Sequence, residues 1–530
     1  MGTYLNPGNG NFRNRTSGLF VDKTILIDKL NSVINNPTFK YICVSRPRRF
    51  GKSVAGNMIS AYYSKGADSR ELFSRFKISG TDSFEKHLNK YNVIKIDLNA
   101  LHAKWKVLSS DGYEDSFVAY VSKTVCAEFK NEFPDVSFGK YPILADYLQE
   151  VYMQKKETFV IVIDEYDVLV REQVPDKELE SYRNFLVSIF KNSELDEAIS
   201  LAYITGILPV MKDKIQSKLN IFQQYTMIDS GILPEFFGFT DKEVLDLCGR
   251  YGMSFQECKS WYDGYRMKSF EIYNPEAVIR SMTSGEFKSY WSGTSTYEVV
   301  SDKIKMNFAG TKEDVIAMLG GEKIDVSVEF YDNTMTGFRC KDDVFTFLIH
   351  LGYLAYDENE RVCYIPNKEI HEEWARAIKN NADYEETNKI IGASKDLLAK
   401  TIAGDEDAVA RALDESHAHI ASNRSYNSEY SLQSAIYLAY IYALNGYVII
   451  KEMTAGKGFA DITYIPFDKS KPAMIVELKH NKSAESAITQ IREKKYFESL
   501  SNWSGDLLFV GINYDEKTKK HECKIERFVK

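Results

Sequence analysis

Between an apolar run, Tyr41-Ile42-Cys43-Val44, and a helix-prone one, Val54 to Tyr63, the chain reads Ser45-Arg46-Pro47-Arg48-Arg49-Phe50-Gly51-Lys52-Ser53. A strand that enters a helix through Gly-Lys-Ser has few ways to fold. The glycine turns the chain, and the first helical N–H groups are left facing the turn. That geometry grips the phosphates of a nucleoside triphosphate: the lysine reaches the β and γ groups and the serine hydroxyl ligates Mg²⁺. The first glycine of the usual G-x-x-x-x-G-K-[ST] spacing is replaced by Arg46. Pro47 has no N–H and pushes Arg46 toward an extended backbone. The phosphate-facing amides are therefore expected from Arg48, Arg49, Phe50, Gly51, Lys52 and Ser53, with two or three guanidinium groups close by.

At 530 residues the chain exceeds one ordinary core, and two to four domains are expected. With 44% hydrophobic and 27% charged residues it has the composition of a globular protein. A net charge of −8 excludes a global basic field, so any nucleic-acid surface has to be a local patch. The seven cysteines contain no C-x-x-C pair, which speaks for reduced thiols and against a zinc ribbon. The start of the chain lacks a signal-peptide pattern, and the longest apolar run, Ile436 to Ile450, is interrupted at Asn445-Gly446. The expected location is the cytoplasm, without membrane association.

Residues 1–18, rich in Asn, Gly and Arg, are expected to form a leading loop near the nucleotide, followed by an amphipathic helix from Ile25 to Ile34. Val93 to Leu98 has strand character, and a helical region is expected from about Phe117 to Tyr152. Phe159-Val160-Ile161-Val162-Ile163-Asp164-Glu165 reads as a buried parallel strand delivering two carboxylates to its C-terminal edge, where α/β folds bind ligands. Asp164 would hold Mg²⁺ and Glu165 would polarise the attacking water. A strand from Ile199 to Ile204 ends at Thr205-Gly206, and Thr205 is assigned to sensing the γ-phosphate as in additional-strand ATPases. Arg183 and Lys191, on the intervening helix, are read as a solvated face, with charge-stabilising fingers as the alternative.

Together R-P-R-R-F-G-K-S, I-D-E-Y-D and I-T-G-I resemble the AAA-ATPase-like family, whose members typically add a C-terminal domain of the PD-(D/E)xK nuclease type. Trp261-Tyr262-Asp263-Gly264-Tyr265, Tyr273-Asn274-Pro275, Tyr290-Trp291, Gly352-Tyr353-Leu354 and Ile365-Pro366-Asn367-Lys368-Glu369 extend the resemblance over nearly the whole chain. It implies that Arg46 belongs to the family's own variant of the loop. Residues 241–385 are read as a helical or winged-helix-like connector without chemistry, their aromatics as core.

From about 386 the pattern is helical, with Ile390, Leu397, Leu398, Ile402, Val409, Leu413 and Ile420 at helical spacing and a further helix from Tyr430 to Leu444. His417 and His419, at i and i+2, lie on different helix faces and make a poor metal pair. Two β-prone runs follow, Gly458 to Ile465 and Met474 to Lys479, joined through Pro466 to Pro472. Glu477 and Lys479 share a strand face, and Asp461 on the partner strand can meet them. Two carboxylates make a hard oxygen site suited to Mg²⁺, and the lysine can orient a water and stabilise charge growing on phosphorus. The same E-x-K could also be a surface ion-pair face. The arrangement resembles the PD-(D/E)xK core, with Ala460 where that family has proline. That resemblance adds Glu429 as a further metal carboxylate and Gln490 as an accessory residue. Lys479, Lys482, Arg492, Lys494 and Lys495 would contact phosphates.

The expected fold is therefore α/β and multidomain. A P-loop NTPase of the AAA or additional-strand type spans 1–240, a connector 241–385, and a restriction-endonuclease-like α/β domain 386–530. Catalysis falls to Glu165, Asp461, Glu477 and Lys479. Metal falls to Ser53, Asp164, Asp461, Glu477 and Glu429. The expected cofactors are ATP and Mg²⁺, with Mn²⁺ an alternative at the nuclease site. The expected partner is nucleic acid, DNA by fold analogy, with room for a homo-oligomer. The expected function is ATP-regulated DNA cleavage; the alternative is an ATP-dependent switch or scaffold whose nuclease-like domain only binds nucleic acid or protein.

Overall fold

Alternate residues of the first strands part to opposite faces of one parallel sheet, as a period of two requires when both faces are covered. The strands are β1 (Tyr41–Ser45), β2 (Asn92–Asp97), β3 (Phe159–Asp164), β4 (Ile199–Gly206) and β5 (Gln223–Tyr225), in the order β2-β3-β4-β1-β5. All neighbouring pairs are parallel. Tyr41, Cys43, Ile94, Ile96, Ile161, Ile163, Ala202 and Ile204 join one core. Ile42, Val44, Val93, Val160, Val162, Leu201 and Tyr203 join the other. Because β4 lies between β1 and β3, the phosphate-loop strand and the acidic strand are not neighbours; this is the additional-strand arrangement. The computed structural model describes residues 2–528 apart from 211–219, 292–296, 330, 333–334, 421–428, 456–457, 469 and 501–502.

Helix α1 (Lys52–Tyr63) leaves β1 and packs Ala55, Met58, Ile59, Tyr62 and Tyr63 into the second core. The first core is closed by α2 (Leu98–Ser110), α3 (Phe117–Glu132), α4 (Leu144–Lys155) and α5 (Asp176–Phe190). The helical region expected from about Phe117 to Tyr152 holds two helices, α3 and α4. Pro134, Gly139 and Pro142 explain the break, since proline lacks the donor and restricts the residue before it. The amphipathic helix near the start is also shorter than expected, Ile25–Asn31.

The chain gathers into two compact units, one of Met1–Val244, Tyr265–Ile279 and Val326–Arg361, the other of Leu245–Gly264, Arg280–Asp325 and Val362–Lys530. Residues 241–385 are mostly helical and are shared between the two. Their aromatic segments are structural clamps. In the second unit Gly264 has φ +96, and a Cβ there would lie 2.0 Å from the Pro366 carbonyl oxygen. Asn367 Nδ2 donates to the Asp263 carbonyl (2.6 Å), and Lys368 Nζ sits 3.6 Å from the centre of the Trp261 ring. Glu369 accepts the Tyr290 and Trp291 amides at 2.6 and 2.8 Å. The I-P-N-K-E segment therefore closes onto both W-Y-D-G and Y-W.

The C-terminal residues form a mixed sheet, flanked on one side by α6 (Glu385–Ala403), α7 (Glu406–Ile420) and α8 (Glu429–Ala439). Its strands are β6 (Tyr447–Ala455), β7 (Gly458–Pro466), β8 (Ala473–His480), β9 (Leu507–Asp515) and β10 (Lys520–Phe528), paired in sequence order. Only β8 and β9 are parallel, so their connection must cross over, and α9 (Ala484–Glu493) makes that crossing. Ala473, Ile475, Leu507 and Phe509 pack against Ile488 and Ile491 of α9. The helix expected from Tyr430 to Leu444 ends earlier, at Ala439, and continues as a 3₁₀ turn, Ile441–Asn445.

Candidate nucleotide and nuclease sites

The turn after β1 builds its concavity from two left-handed residues, Arg49 (φ 72) and Gly51 (φ 90). A non-glycine residue in that region costs about 1–2 kcal/mol, so Arg49 is held there by its surroundings. Gly51 caps α1, whose first residues are Lys52 and Ser53. Beside this turn lies a cavity of about 900 Å³, walled by Arg48 through Ser53, Asp97, Asp164, Glu165 and Arg171 at one end. Leu19, Phe20, Val21, Phe236, Phe239 and Ile279 line it elsewhere. Asn14, Arg15, Ser17 and Gly18 of the leading segment also face it, although Gly10–Arg15 forms a short helix rather than a loop.

The arginines divide. Arg48 and Arg49 line the cavity, but Arg46 is fully buried and turned away. Its Nη1 donates to the Ser45 and Tyr225 carbonyls, both at 2.9 Å, and its guanidinium lies over the Phe237 ring. The expected ring of two or three guanidinium groups therefore includes two from this loop, because Arg46 is spent on tying β1 to β5. Phe50 is 1% exposed and packs edge-on against Tyr265 at 5.2 Å, so its side chain anchors the loop and only its backbone serves the cavity. Lys52 Nζ donates to the Arg46 and Pro47 carbonyls (2.9 and 3.0 Å). Burial lowers its pKa, against the pull of Glu165, Asp164 and Asp167.

Asp164 and Glu165 stand at the C-terminal end of β3, level with Asp97 on β2. Asp164 Oδ1 accepts the Thr205 hydroxyl (2.5 Å) and the Glu165 amide (3.1 Å). Thr205, assigned to sensing the γ-phosphate, is 1% exposed at the end of β4; its hydroxyl goes to Asp164 and it is not among the residues lining the cavity. Glu165 has φ 57, and its carboxylate is held by the Arg171 guanidinium. Burial raises the Glu165 pKa, with Lys52 and Arg171 opposing. Arg171 Nε lies 3.1 Å from Asp167 Oδ2, which also accepts the Ile207 and Leu208 amides (3.0 and 2.9 Å). Sequence reasoning passed over Arg171, Asp167 and Asp97. The first two were findable: an arginine four residues after an aspartate on one helical turn is a pairing signal. Arg183 and Lys191 are not on the cavity wall.

In the C-terminal sheet the β7–β8 ladder runs Tyr464↔Met474, Thr463↔Ile475, Ile462↔Val476 and stops. The next residues in line are Asp461 and Glu477. Asp461 Oδ2 takes the Leu478 amide at 2.7 Å, and its carbonyl accepts Gln433 Nε2 at 2.9 Å. Glu477 Oε1 accepts Lys479 Nζ at 2.8 Å and also Gln490 Nε2, which in turn lies 3.1 Å from the Tyr496 hydroxyl. Glu477 Oε2 is buried with no hydrogen-bond partner. Burial and the neighbouring Asp461 push the Glu477 pKa up to about 7, with Lys479 opposing. An acceptor left bare beside a second carboxylate is what a divalent cation would satisfy, so the donor set fits a hard metal ion. Among the described residues no larger His, Cys, Asp or Glu cluster is gathered for metal. Glu429 opens α8, but its side chain lies outside the described residues, as does that of His419.

The cationic residues expected around this site are partly committed elsewhere. Arg492 pairs with Glu526, and Lys495 Nζ lies 3.1 Å from Glu498. Tyr496, which completes the Gln490 contact, was missed; one aromatic three residues past a helix end carries no distinguishing signal.

Residues 10–216 match the family model described as predicted AAA-ATPase, AAA-ATPase-like, and residues 427–524 match a model of the PD-(D/E)XK nuclease superfamily. An uncharacterized protein in the vnfD 5′ region of Azotobacter chroococcum mcd 1 is 23% identical over 361 residues, covering 65% of this chain. The chain spans 61% of that relative's length. Among solved structures, the ORC2 protein of Aeropyrum pernix is similar at 11% identity and TM-score 0.30, over 67% of this chain and 93% of that one. The ORC1 protein of the same organism in complex with DNA gives 10% and 0.25, over 94% and 100%, and C. elegans PCH-2 gives 9% and 0.20, over 48% and 62%. Among the described residues no helix is long and apolar enough to cross a membrane.

Proposed function

We propose that this chain, in which an AAA-ATPase-like segment precedes a PD-(D/E)XK nuclease-superfamily segment, hydrolyses ATP and uses the nucleotide to regulate metal-dependent cleavage of DNA. The observation that carries the cleavage reading is the meeting of Asp461, Glu477 and Lys479 where the β7–β8 ladder ends. A divalent metal, Mg²⁺ or Mn²⁺, would be held there by Asp461 and Glu477 and would supply Lewis acidity toward the scissile phosphate. Lys479 keeps a cation at that spot, able to orient a water and to stabilise charge on the phosphoryl oxygens. Gln490 holds Glu477 in place.

At the other site Lys52 and the amides of Arg48 to Ser53 would take the phosphates. Ser53 and Asp164 would hold Mg²⁺, and Glu165 would accept a proton from water. Thr205 serves by fixing Asp164. We also propose 1–240, 241–385 and 386–530 as the domains that carry these roles.

The test is plasmid cleavage with Mg²⁺ or Mn²⁺, with and without ATP, for wild type, Asp461→Ala and Lys52→Ala. Metal-dependent cutting lost in Asp461→Ala supports the reading; no cutting by wild type under any condition defeats it. If Lys52→Ala cuts like wild type in ATP, regulation by the nucleotide is excluded.

A further inference from the structure

Arg171 is a half-buried arginine on the wall of the phosphate end of the nucleotide cavity, 12% exposed at its side chain. It occupies a one-turn helix, Val168–Arg171, six residues past Glu165. Both of its anchors sit in the acidic turn: the Glu165 carboxylate and Asp167 Oδ2. The Asp167 anchor is fixed, because two backbone amides after β4 also bind that oxygen. The Glu165 anchor is not: Glu165 lies on the cavity wall, and among the described contacts its carboxylate is held by Arg171 alone. The guanidinium thus pivots on a fixed acid and is shared with a movable one.

We infer that Arg171 is a catalytic residue of the nucleotide site, which turns from Glu165 to the γ-phosphoryl group of a bound triphosphate and thereby frees Glu165 for water. This rests on the ATPase reading above. A γ-phosphate carries more negative charge than one carboxylate and likewise presents two oxygens to the guanidinium fork, which favours the exchange. In the step that follows, the water oxygen forms a bond to the γ-phosphorus. The bond between phosphorus and the β–γ bridging oxygen breaks, its electron pair staying on ADP. Glu165 takes the proton lost by the water, and Arg171 stays charged throughout, neutralising the equatorial oxygens. ADP lacks the group that Arg171 binds, so the residue also makes the site sense the γ-phosphate.

The experiment compares full-length wild type with Arg171→Ala and Arg171→Lys. It measures the Kd of ADP and of the β,γ-imido analogue of ATP, with kcat and KM for ATP and thermal melting as a fold control. The expected result for Arg171→Ala is a loss of about tenfold or more in affinity for the imido analogue and little change for ADP. Its kcat should fall by about 100-fold or more and recover in part with added guanidinium chloride at non-denaturing concentration. Arg171→Lys, which keeps the charge without the fork, should lie between. Equal weakening of both nucleotides, or an unchanged imido/ADP ratio in a folded variant, overturns the inference and leaves the ATPase reading standing. Failure of wild type to bind either nucleotide overturns both.

Discussion

The carboxylate of Asp461 accepts the backbone amide of Leu478 at 2.7 Å, just beyond the last paired residues of their two strands, Ile462 and Val476. A side chain thus takes the place of a strand carbonyl where the β7–β8 ladder ends, beside Glu477. The residue has two separable duties, a backbone acceptor and a charge. Asp461→Ala should abolish cleavage and also cost about 1–2 kcal/mol, because the Leu478 N–H is left unpaired. Asp461→Asn should restore the melting temperature without restoring cleavage. Equal melting temperatures for the two variants would show that the hydrogen bond carries no stability.

Arg46 stands where the usual phosphate loop has glycine, so Arg46→Gly tests whether the loop is degraded or differently built. Removing a buried guanidinium that bridges the Ser45 and Tyr225 carbonyls should cost about 3 kcal/mol or more and should not tighten nucleotide binding. Chemical denaturation and nucleotide titration read the two effects. A variant that binds ATP more tightly at unchanged stability would contradict the bridging role.

Thr205→Val removes the hydroxyl that donates to Asp164 while keeping the shape of the side chain. A residue one layer behind a metal carboxylate typically affects metal affinity by about 10–100-fold. The Mg²⁺ concentration for half-maximal ATP hydrolysis should rise by about tenfold, with Thr205→Ser near wild type. A change in kcat at saturating Mg²⁺ with no change in Mg²⁺ dependence would instead favour direct contact with the nucleotide.

Gly264→Ala places a methyl group 2.0 Å from the Pro366 carbonyl oxygen at a left-handed position. The conformational cost alone is about 1 kcal/mol, and the overlap with backbone adds to it. Thermal melting should show a fall of several degrees, larger than for Gly285→Ala, where φ is +70 but no atom lies within 4 Å of the added carbon.

His417 packs its ring on Tyr514 (4.3 Å between centroids) and near His521 (5.3 Å). Burial, then the neighbouring His521, push its pKa down to about 4, with Asp414 opposing and Lys519 adding to the fall. The unfolded chain binds this proton near pH 6.5, the folded one only near pH 4, so between those values the unfolded state holds more protons. Stability should therefore fall as pH drops from about 6.5 to 4. His521, which burial also lowers although Asp414 opposes it, adds to the same slope. Urea midpoints across that range should show a shallower decline in His417→Phe; an unchanged slope would remove His417 as the cause.

The candidate site residues lie in short runs whose neighbours in sequence are also neighbours in space. Ile163-Asp164-Glu165 and Gly51-Lys52-Ser53 were legible because a buried strand ending in acids, or in a glycine turn before a helix, puts its polar residues at one sheet edge whatever the rest does. Glu477-Leu478-Lys479 was legible in the same way, by strand alternation. Long-range facts were not. Only the pairing of β1 with β5 made Arg46 a buried tie rather than a third guanidinium near the phosphates, and only the closeness of β3 and β4 placed the Thr205 hydroxyl against Asp164. Pro134 and Pro142 mark the break between α3 and α4 inside the helical region that the pattern predicts. Local sequence decides which backbone an element adopts and which of its residues share a face. The direction a buried polar group turns depends on which distant carbonyl or carboxylate is left to pair with it, and tertiary packing alone decides that.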